Sequence, residues 1–251
     1  MKVRISQGKQ YIRDVRTANP TGFRGLPKIE KTPCETSCRK CADVCPTQAI
    51  SIDPIKIDLG RCIFCAECST ACPVQKISYT NQYKIAASHR DGLTVTENTT
   101  GIEVETSQRL KSLFGRSLRL RSVSSGGCNG CELEVSALSN VNFDISRFGI
   151  EFVASPRHAD GLVLSGPLTR NMKEALDLAF EGMPDPKFVI AVGACTISGG
   201  LYQGSNALDR SFLQRFQPQL YVPGCPPHPL TFVNGILDLL SSGPGRKKRN
   251  R

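Results

Sequence analysis

Apolar and polar positions follow clear periods in the C-terminal half of the chain and almost none in the N-terminal half. Ser117-Leu118-Arg119-Leu120-Arg121-Ser122-Val123 alternates, as a strand does. It runs into the glycine-rich turn Ser124-Ser125-Gly126-Gly127-Cys128, after which Glu132 to Leu138 reads as the start of a helix. Residues 150–154 and Gly161-Leu162-Val163-Leu164-Ser165 are further strand candidates, and Met172, Leu176 and Ala179 share one helical face. Phe188-Val189-Ile190-Ala191-Val192 is a continuous apolar run, the pattern of a buried parallel strand. Leu220-Tyr221-Val222 gives a short last strand, and Leu230, Val233, Leu237 and Leu240 mark a closing helix with one apolar stripe. Strands alternating with helices predict a parallel sheet.

The other half is organised by cysteine. Cys38-Arg-Lys-Cys41-Ala-Asp-Val-Cys45-Pro46 is followed by Cys62-Ile-Phe-Cys65-Ala-Glu-Cys68-Ser-Thr-Ala-Cys72-Pro73, and each copy runs on into a short apolar stretch, AISI and KISY. This internal repeat predicts two pseudo-symmetric halves of one domain of roughly sixty residues, too small for a sizeable apolar core. Bound metal would stand in for that core.

Of twelve cysteines, eight lie between Cys34 and Cys72 and four between Cys128 and Cys225. A [4Fe–4S] cube needs four converging thiolates. In two-cluster ferredoxins a C-x2-C-x2-C loop supplies three of them, and the cysteine before proline ligates the other cluster. The spacing therefore assigns Cys34, Cys38, Cys41 and Cys72 to one cluster and Cys45, Cys62, Cys65 and Cys68 to the other. Cys34-Glu-Thr-Ser-Cys38 departs from the pattern, with three residues between cysteines instead of two. Structural zinc also uses Cys-x2-Cys pairs, but it needs neither triplets nor Cys-Pro at the fourth position.

Cys128, Cys131, Cys195 and Cys225 remain. They sit beside glycine or proline where strands end, in GGCNGC, VGACTISGG and VPGCPPHP. Ligands of open parallel sheets gather outside the carboxyl ends of the strands, so three such loops predict a third four-cysteine set. Taken singly, Cys195 reads equally as a small buried residue, and Cys128 with Cys131 as a redox pair.

Six disulfides would require an oxidising compartment. The N-terminus MKVRISQGKQYIRDVR has no apolar stretch of a secretory signal, and no apolar run reaches the roughly 18 residues of a membrane span. A reducing cytoplasm is expected, with any membrane association made through partner subunits. The net charge of +10 suggests nucleic acid, and a zinc-stabilised nucleic-acid-binding protein is the reading from another class. However, five of those charges lie in the tail Arg246-Lys247-Lys248-Arg249-Asn250-Arg251, and three clusters at roughly −2 each would remove about six more. No nucleophile–base pair, phosphate loop or GxGxxG fingerprint appears, so no catalytic residue is assigned to this chain alone.

The motifs GRSLRLRSVSSGGCNGCELE, RFGIEFVASPRHADGLVLSGPLTRNM, VGACTISGG and GCPPHP resemble the small subunit of membrane-associated, energy-converting [NiFe] hydrogenases of the formate hydrogenlyase group. That subunit is similar to the 20-kDa subunit of respiratory complex I. Complex I subunits usually have adjacent cysteines at the first motif, whereas CNGC resembles the hydrogenase branch. Residues 22–80 resemble the two-cluster ferredoxin subunit of the same complexes, so the chain resembles a fusion of two subunits that are commonly separate.

The expected organisation is an extended arm (1–28), a two-cluster ferredoxin-like α+β domain (29–80), a linker (81–107), a flavodoxin-like α/β domain (108–242) and a disordered basic tail (243–251). The resemblance implies three [4Fe–4S] clusters. It makes the 128/131/195/225 set proximal to a large subunit carrying nickel and iron, with membrane subunits alongside. The ferredoxin-like clusters would relay electrons between that set and either an external donor, such as a soluble ferredoxin or a formate dehydrogenase, or another subunit, and nucleic acid is not an expected partner. Glu134 matches an acidic family position that tunes the cluster or moves protons, and reads equally as a first-turn carboxylate favoured by the helix dipole. His158 and His228 are expected to be polar loop residues. The alternative within redox chemistry is a nickel-free, complex I-like quinone or ferredoxin oxidoreductase.

Overall fold

A computed structural model describes residues 5, 6, 8, 11–115 and 117–240. The tail 243–251 lies outside the described residues. The elements are β1 (Pro27–Ile29), α1 (Lys40–Asp43), β2 (Ile50–Ser51), β3 (Lys56–Asp58), α2 (Glu67–Thr70), β4 (Ile77–Tyr79), β5 (Thr94–Val95), α3 (Gln108–Phe114), β6 (Leu118–Ser124), α4 (Gly130–Ala137), β7 (Ile150–Phe152), β8 (Gly161–Ser165), α5 (Lys173–Glu181), β9 (Phe188–Val192), α6 (Gly193–Ser198), α7 (Ser211–Arg215), β10 (Leu220–Val222) and α8 (Pro229–Leu239).

The repeat folds into two small antiparallel sheets, β1–β4 and β2–β3–β5, with α1 and α2 between them. Helices of four residues are far shorter than the roughly 12–15 needed for independent helicity. Their support is a core in which Cys41, Cys62 and Cys68 pack among Ile29, Ile57, Leu59 and Ile77.

The C-terminal sheet has five parallel strands in the order β7-β6-β8-β9-β10, the flavodoxin-like 2-1-3-4-5. Every residue of β8 and β9 is buried, as their unbroken apolar runs predict. In α5 the buried pair is Leu176 and Phe180, while Met172 falls at the N-cap and Ala179 is half-buried.

The closing helix α8 departs from the single stripe its sequence predicts: every residue from 229 to 236 is buried. The cover comes from far away in the chain. Asn234 Nδ2 donates to the Val15 carbonyl at 2.9 Å, Tyr83 Oη donates to the same oxygen at 2.9 Å, and Arg16 pairs with Asp238. A Cβ on Gly235 would lie 2.8 Å from Ala86 Cβ, so the segment after the ferredoxin-like repeat lies directly on the helix. Ala87 exchanges both backbone hydrogen bonds with Tyr221 of β10, at 3.0 and 2.8 Å. Segment 81–107 also contributes β5 and the fully buried Leu93 and Val95 to the repeat.

Gly→Ala inside a helix ordinarily stabilises by about 1 kcal/mol. Gly235→Ala is expected to do the reverse, lowering stability by about 1–3 kcal/mol through overpacking against Ala86. Thermal unfolding checks this; a gain in Tm would show that the segment does not bear on α8.

Candidate iron–sulfur centres

Cys34, Cys38, Cys41 and Cys72 line one small enclosed cavity, and Cys45, Cys62, Cys65 and Cys68 line a second. Cys41 lies on α1 and Cys68 on α2, while Cys45 and Cys72 reach across to the cavity of the opposite repeat. The extra residue before Cys38 is taken up in a tight turn, where Cys38 N–H donates to the Glu35 carbonyl at 3.1 Å and Ser37 adopts φ +64°. That turn brings Cys34 to the same cavity as its neighbours.

Backbone amides point at the sulfurs. Ala49 N–H donates to Cys45 Sγ and Lys76 N–H to Cys72 Sγ, both at 3.2 Å, and Phe64 N–H donates to Cys62 Sγ at 3.3 Å. Burial pushes the Cys62 thiol up to about 12; the Phe64 and Tyr79 hydrogen bonds oppose this, and the neighbouring Cys68 and Cys45 sulfurs add to it. Cys41 is raised by burial first and then by Cys72, with a smaller contribution from Cys34.

Lys76 stands where the other repeat has Ala49, and its side chain is only 5% exposed. Its ammonium donates to the carbonyls of Glu30 and Thr32 at 2.7 Å each and pairs with Glu97 at 2.6 Å. It therefore clamps the segment leading into Cys34. The sequence signal was a lysine in a position the repeat marks as apolar.

The third set gathers beyond the carboxyl ends of the parallel strands. Cys128 and Cys131 follow β6, Cys195 lies in α6 directly after β9, and Cys225 follows β10. Burial raises Cys131 to about 12, and then Glu132, Cys195, Cys225 and Cys128 add to the shift. Cys195 rises to about 11, by burial first and then by Cys225 and Cys128, against a lowering by Arg210. The glycine context has a steric reason: a Cβ on Gly193, at φ +87°, would lie 2.7 Å from Cys131 Sγ.

Two residues here escaped the sequence reading. Arg210 donates to the carbonyls of Cys195, Thr196 and Ile197 at 3.2, 2.6 and 2.9 Å, holding a cation at the end of α6. No local motif marks it. Glu132 accepts from Ser165 Oγ at 2.8 Å; burial would raise its pKa, but the Ser124 and Ser165 hydrogen bonds outweigh this and hold it below the usual carboxylate range. Glu134 is half-buried and raised by burial. His228 caps α8, its Nδ1 accepting from Leu230 N–H at 3.1 Å, and burial lowers its pKa. His158 ends an exposed turn.

In the first two sets four sulfurs line one cavity each. Such a donor set fits a polynuclear iron–sulfur core. The second and third sets adjoin. Cys65 and Cys225 line one groove with Phe23, Arg24, Phe64 and His228, and Arg24 donates to the Cys65 carbonyl at 2.8 Å. A Cβ on Gly60, two residues before Cys62, would lie 2.7 Å from Ile197 of α6.

Fold and site define an iron–sulfur electron-transfer protein. Residues 33–76 match the 4Fe-4S dicluster domain, and residues 128–239 match the family described as NADH ubiquinone oxidoreductase, 20 Kd subunit. The probable membrane-bound hydrogenase subunit mbhJ of Pyrococcus furiosus is 40% identical over 129 residues, which is 51% of this chain and 77% of that protein. Formate hydrogenlyase subunit 7 of Escherichia coli is 38% identical, over 57% of this chain and 55% of its own length. A Prochlorococcus marinus NAD(P)H-quinone oxidoreductase subunit K is 42% identical, over 43% of this chain and 46% of its own length. The chain belongs to this family of iron–sulfur subunits of hydrogenases and NADH-quinone oxidoreductases, and its work is electron transfer within an oxidoreductase. No helix among the described residues is long and apolar enough to cross a membrane.

Gly193→Ala is expected to remove about four iron atoms per chain, the content of one cubane, while leaving the ferredoxin-like domain loaded. Lys76→Met is expected to remove about four from that domain by freeing the Cys34 segment. Iron analysis with EPR of the reduced protein checks both, and full iron content in either variant would refute the corresponding role.

Proposed function

We propose that this chain is the electron-transfer subunit of a membrane-associated [NiFe] hydrogenase complex of the energy-converting, formate hydrogenlyase type, with three [4Fe–4S] clusters. The observation that carries the reading is that two four-cysteine sets each line a cavity and that Cys65 of the second borders one groove with Cys225 of the remaining set. Cys34, Cys38, Cys41 and Cys72 would hold the outer cluster, Cys45, Cys62, Cys65 and Cys68 the middle one. Cys128, Cys131, Cys195 and Cys225 would hold the proximal one. Bound clusters of this kind take up and release single electrons at potentials set by hydrogen bonds to sulfur, charge and burial.

The chain's own residues supply those controls. The amides of Ala49, Phe64 and Lys76 offset charge on the sulfurs, and Arg210 keeps a cation beside Cys195. Glu132, held ionised, adds negative charge beside Cys131. Leu133, two residues after Cys131, and Leu201, six after Cys195, are 63% and 58% exposed. Apolar surface beside a redox centre suits a protein partner, and the large subunit is proposed to dock there. Electrons would enter from a soluble donor at the outer set, and membrane subunits would hold the complex on the cytoplasmic face.

The Cys128-Asn-Gly-Cys131 spacing and the hydrogenase relatives support this reading. The 42% identity to quinone oxidoreductase subunits supports a second one, a nickel-free complex I-like enzyme. Metal analysis of the anaerobically purified complex separates them. The hydrogenase reading expects about twelve iron atoms per copy of this chain, beyond those of partners, together with nickel. Iron without nickel would favour the second reading, and zinc with little iron would sink both. Leu133→Arg is expected to detach the large subunit from the purified complex without loss of iron from this chain; co-purification in full yield would move the docking face elsewhere.

A further inference from the structure

The two repeats of the ferredoxin-like domain are nearly superposable in backbone behaviour and differ in the groups they present to sulfur. Cys45-Pro46-Thr47-Gln48-Ala49-Ile50-Ser51-Ile52 aligns with Cys72-Pro73-Val74-Gln75-Lys76-Ile77-Ser78-Tyr79. Gln48 and Gln75 both take positive φ, 52° and 48°, and the residue after each donates its N–H to the preceding cysteine sulfur at 3.2 Å. The hydroxyls break this symmetry. Tyr79 Oη lies 3.5 Å from Cys68 Sγ and 3.8 Å from Cys62 Sγ, and Thr47 Oγ1 lies 3.8 Å from Cys45 Sγ. The corresponding residues of the other repeat are Ile52 and Val74, which have no donor. Among the described residues the outer set's sulfurs receive backbone amides, from Lys76 at Cys72 and from Ala42 at Cys41, and no hydroxyl, whereas the middle set's receive amides and also the two hydroxyls. The Tyr79 ring lines the middle cavity and lies 6.3 Å from the Phe64 ring, tilted by 56°.

We propose that Tyr79 raises the reduction potential of the middle cluster, by donating its phenol hydroxyl to the sulfurs of Cys68 and Cys62. The proposal rests on the cluster assignment given above. Reduction adds one negative charge shared by the iron and sulfur atoms. A fixed O–H donor stabilises that reduced form more than the oxidised one and raises the potential. The outer cavity differs in charge as well, being lined by Glu35, Lys40 and Lys76 where the middle one has no charged residue, so the phenol's share is read at the middle cluster itself. Tyr79 acts through the sulfurs and is a tuning residue.

The test is an EPR-monitored redox titration of the whole complex carrying Tyr79→Phe, which keeps the ring and removes the donor. One cluster is expected to become about tenfold harder to reduce, equivalent to about 59 mV for one electron, with iron content and the other potentials unchanged. Unchanged potentials at full iron content would overturn the proposal and leave the cluster assignment standing. A second measurement needs no substitution. In complex grown with ring-deuterated tyrosine, the same reduced cluster is expected to show deuterium coupling, and its absence would overturn the proposal even if the variant lost iron. An unsubstituted complex without cluster iron would instead strike the assignment itself, and the proposal with it.

Discussion

A buried sulfur set beside other sulfurs resists ionising unless a cationic core sits among them. Burial and the neighbouring sulfurs together push Cys62 and Cys131 up to about 12 and Cys195 to about 11, far above the range in which a free thiol gives its proton to water. Metal binding and ionisation are therefore one event. In the ferredoxin-like half this event supplies the core, because strands of two or three residues and helices of four have little else to fold around. Cys41, Cys62 and Cys68 are buried in one cluster with Ile29, Ile57, Leu59 and Ile77.

The C-terminal half meets the same constraint from a different starting point. Its buried strands β8 and β9 and the wholly buried face of α8 give it a hydrophobic core of ordinary kind. The cysteines stand on loops that the sheet already holds in place. What those loops need is room for sulfur, and Gly193 and Gly200 provide it, since a Cβ at either would come within 2.7 or 3.0 Å of a cysteine Sγ. Arg210 then offsets part of the electrostatic penalty at Cys195 without entering the cavity set.

Much of this was legible because its signals are local. The runs at 161–165, 188–192 and 220–222 carry their own burial pattern, and the cysteine repeat announces its pseudo-symmetry. What escaped depends on partners distant in the chain. Burial of α8 on all sides from 229 to 236 draws on Val15, Tyr83 and Ala86, which no periodicity within 229–239 can encode. Lys76 is explicable only with Glu97 and the carbonyls of Glu30 and Thr32 in view. Near Cys131 the sequence draws attention to Glu134, whereas the acid tied to the strand ends is Glu132, because helical phase turns it toward Ser165.

Joining both halves in one chain changes the physics of the relay. Two separate subunits must repay the translational and rotational entropy of association before their redox sites sit side by side. Here residues 83–87 form the seam, pairing with β10 at Tyr221 and lying on α8 at Gly235. The same segment leads back into β5 of the repeat. Cys65 and Cys225 are thus brought to one groove by buried, hydrogen-bonded chain, and Gly60 is small enough to let the Cys62 loop touch α6. The separation of the second and third cysteine sets is a property of the fold itself, as fixed as the register of its sheet.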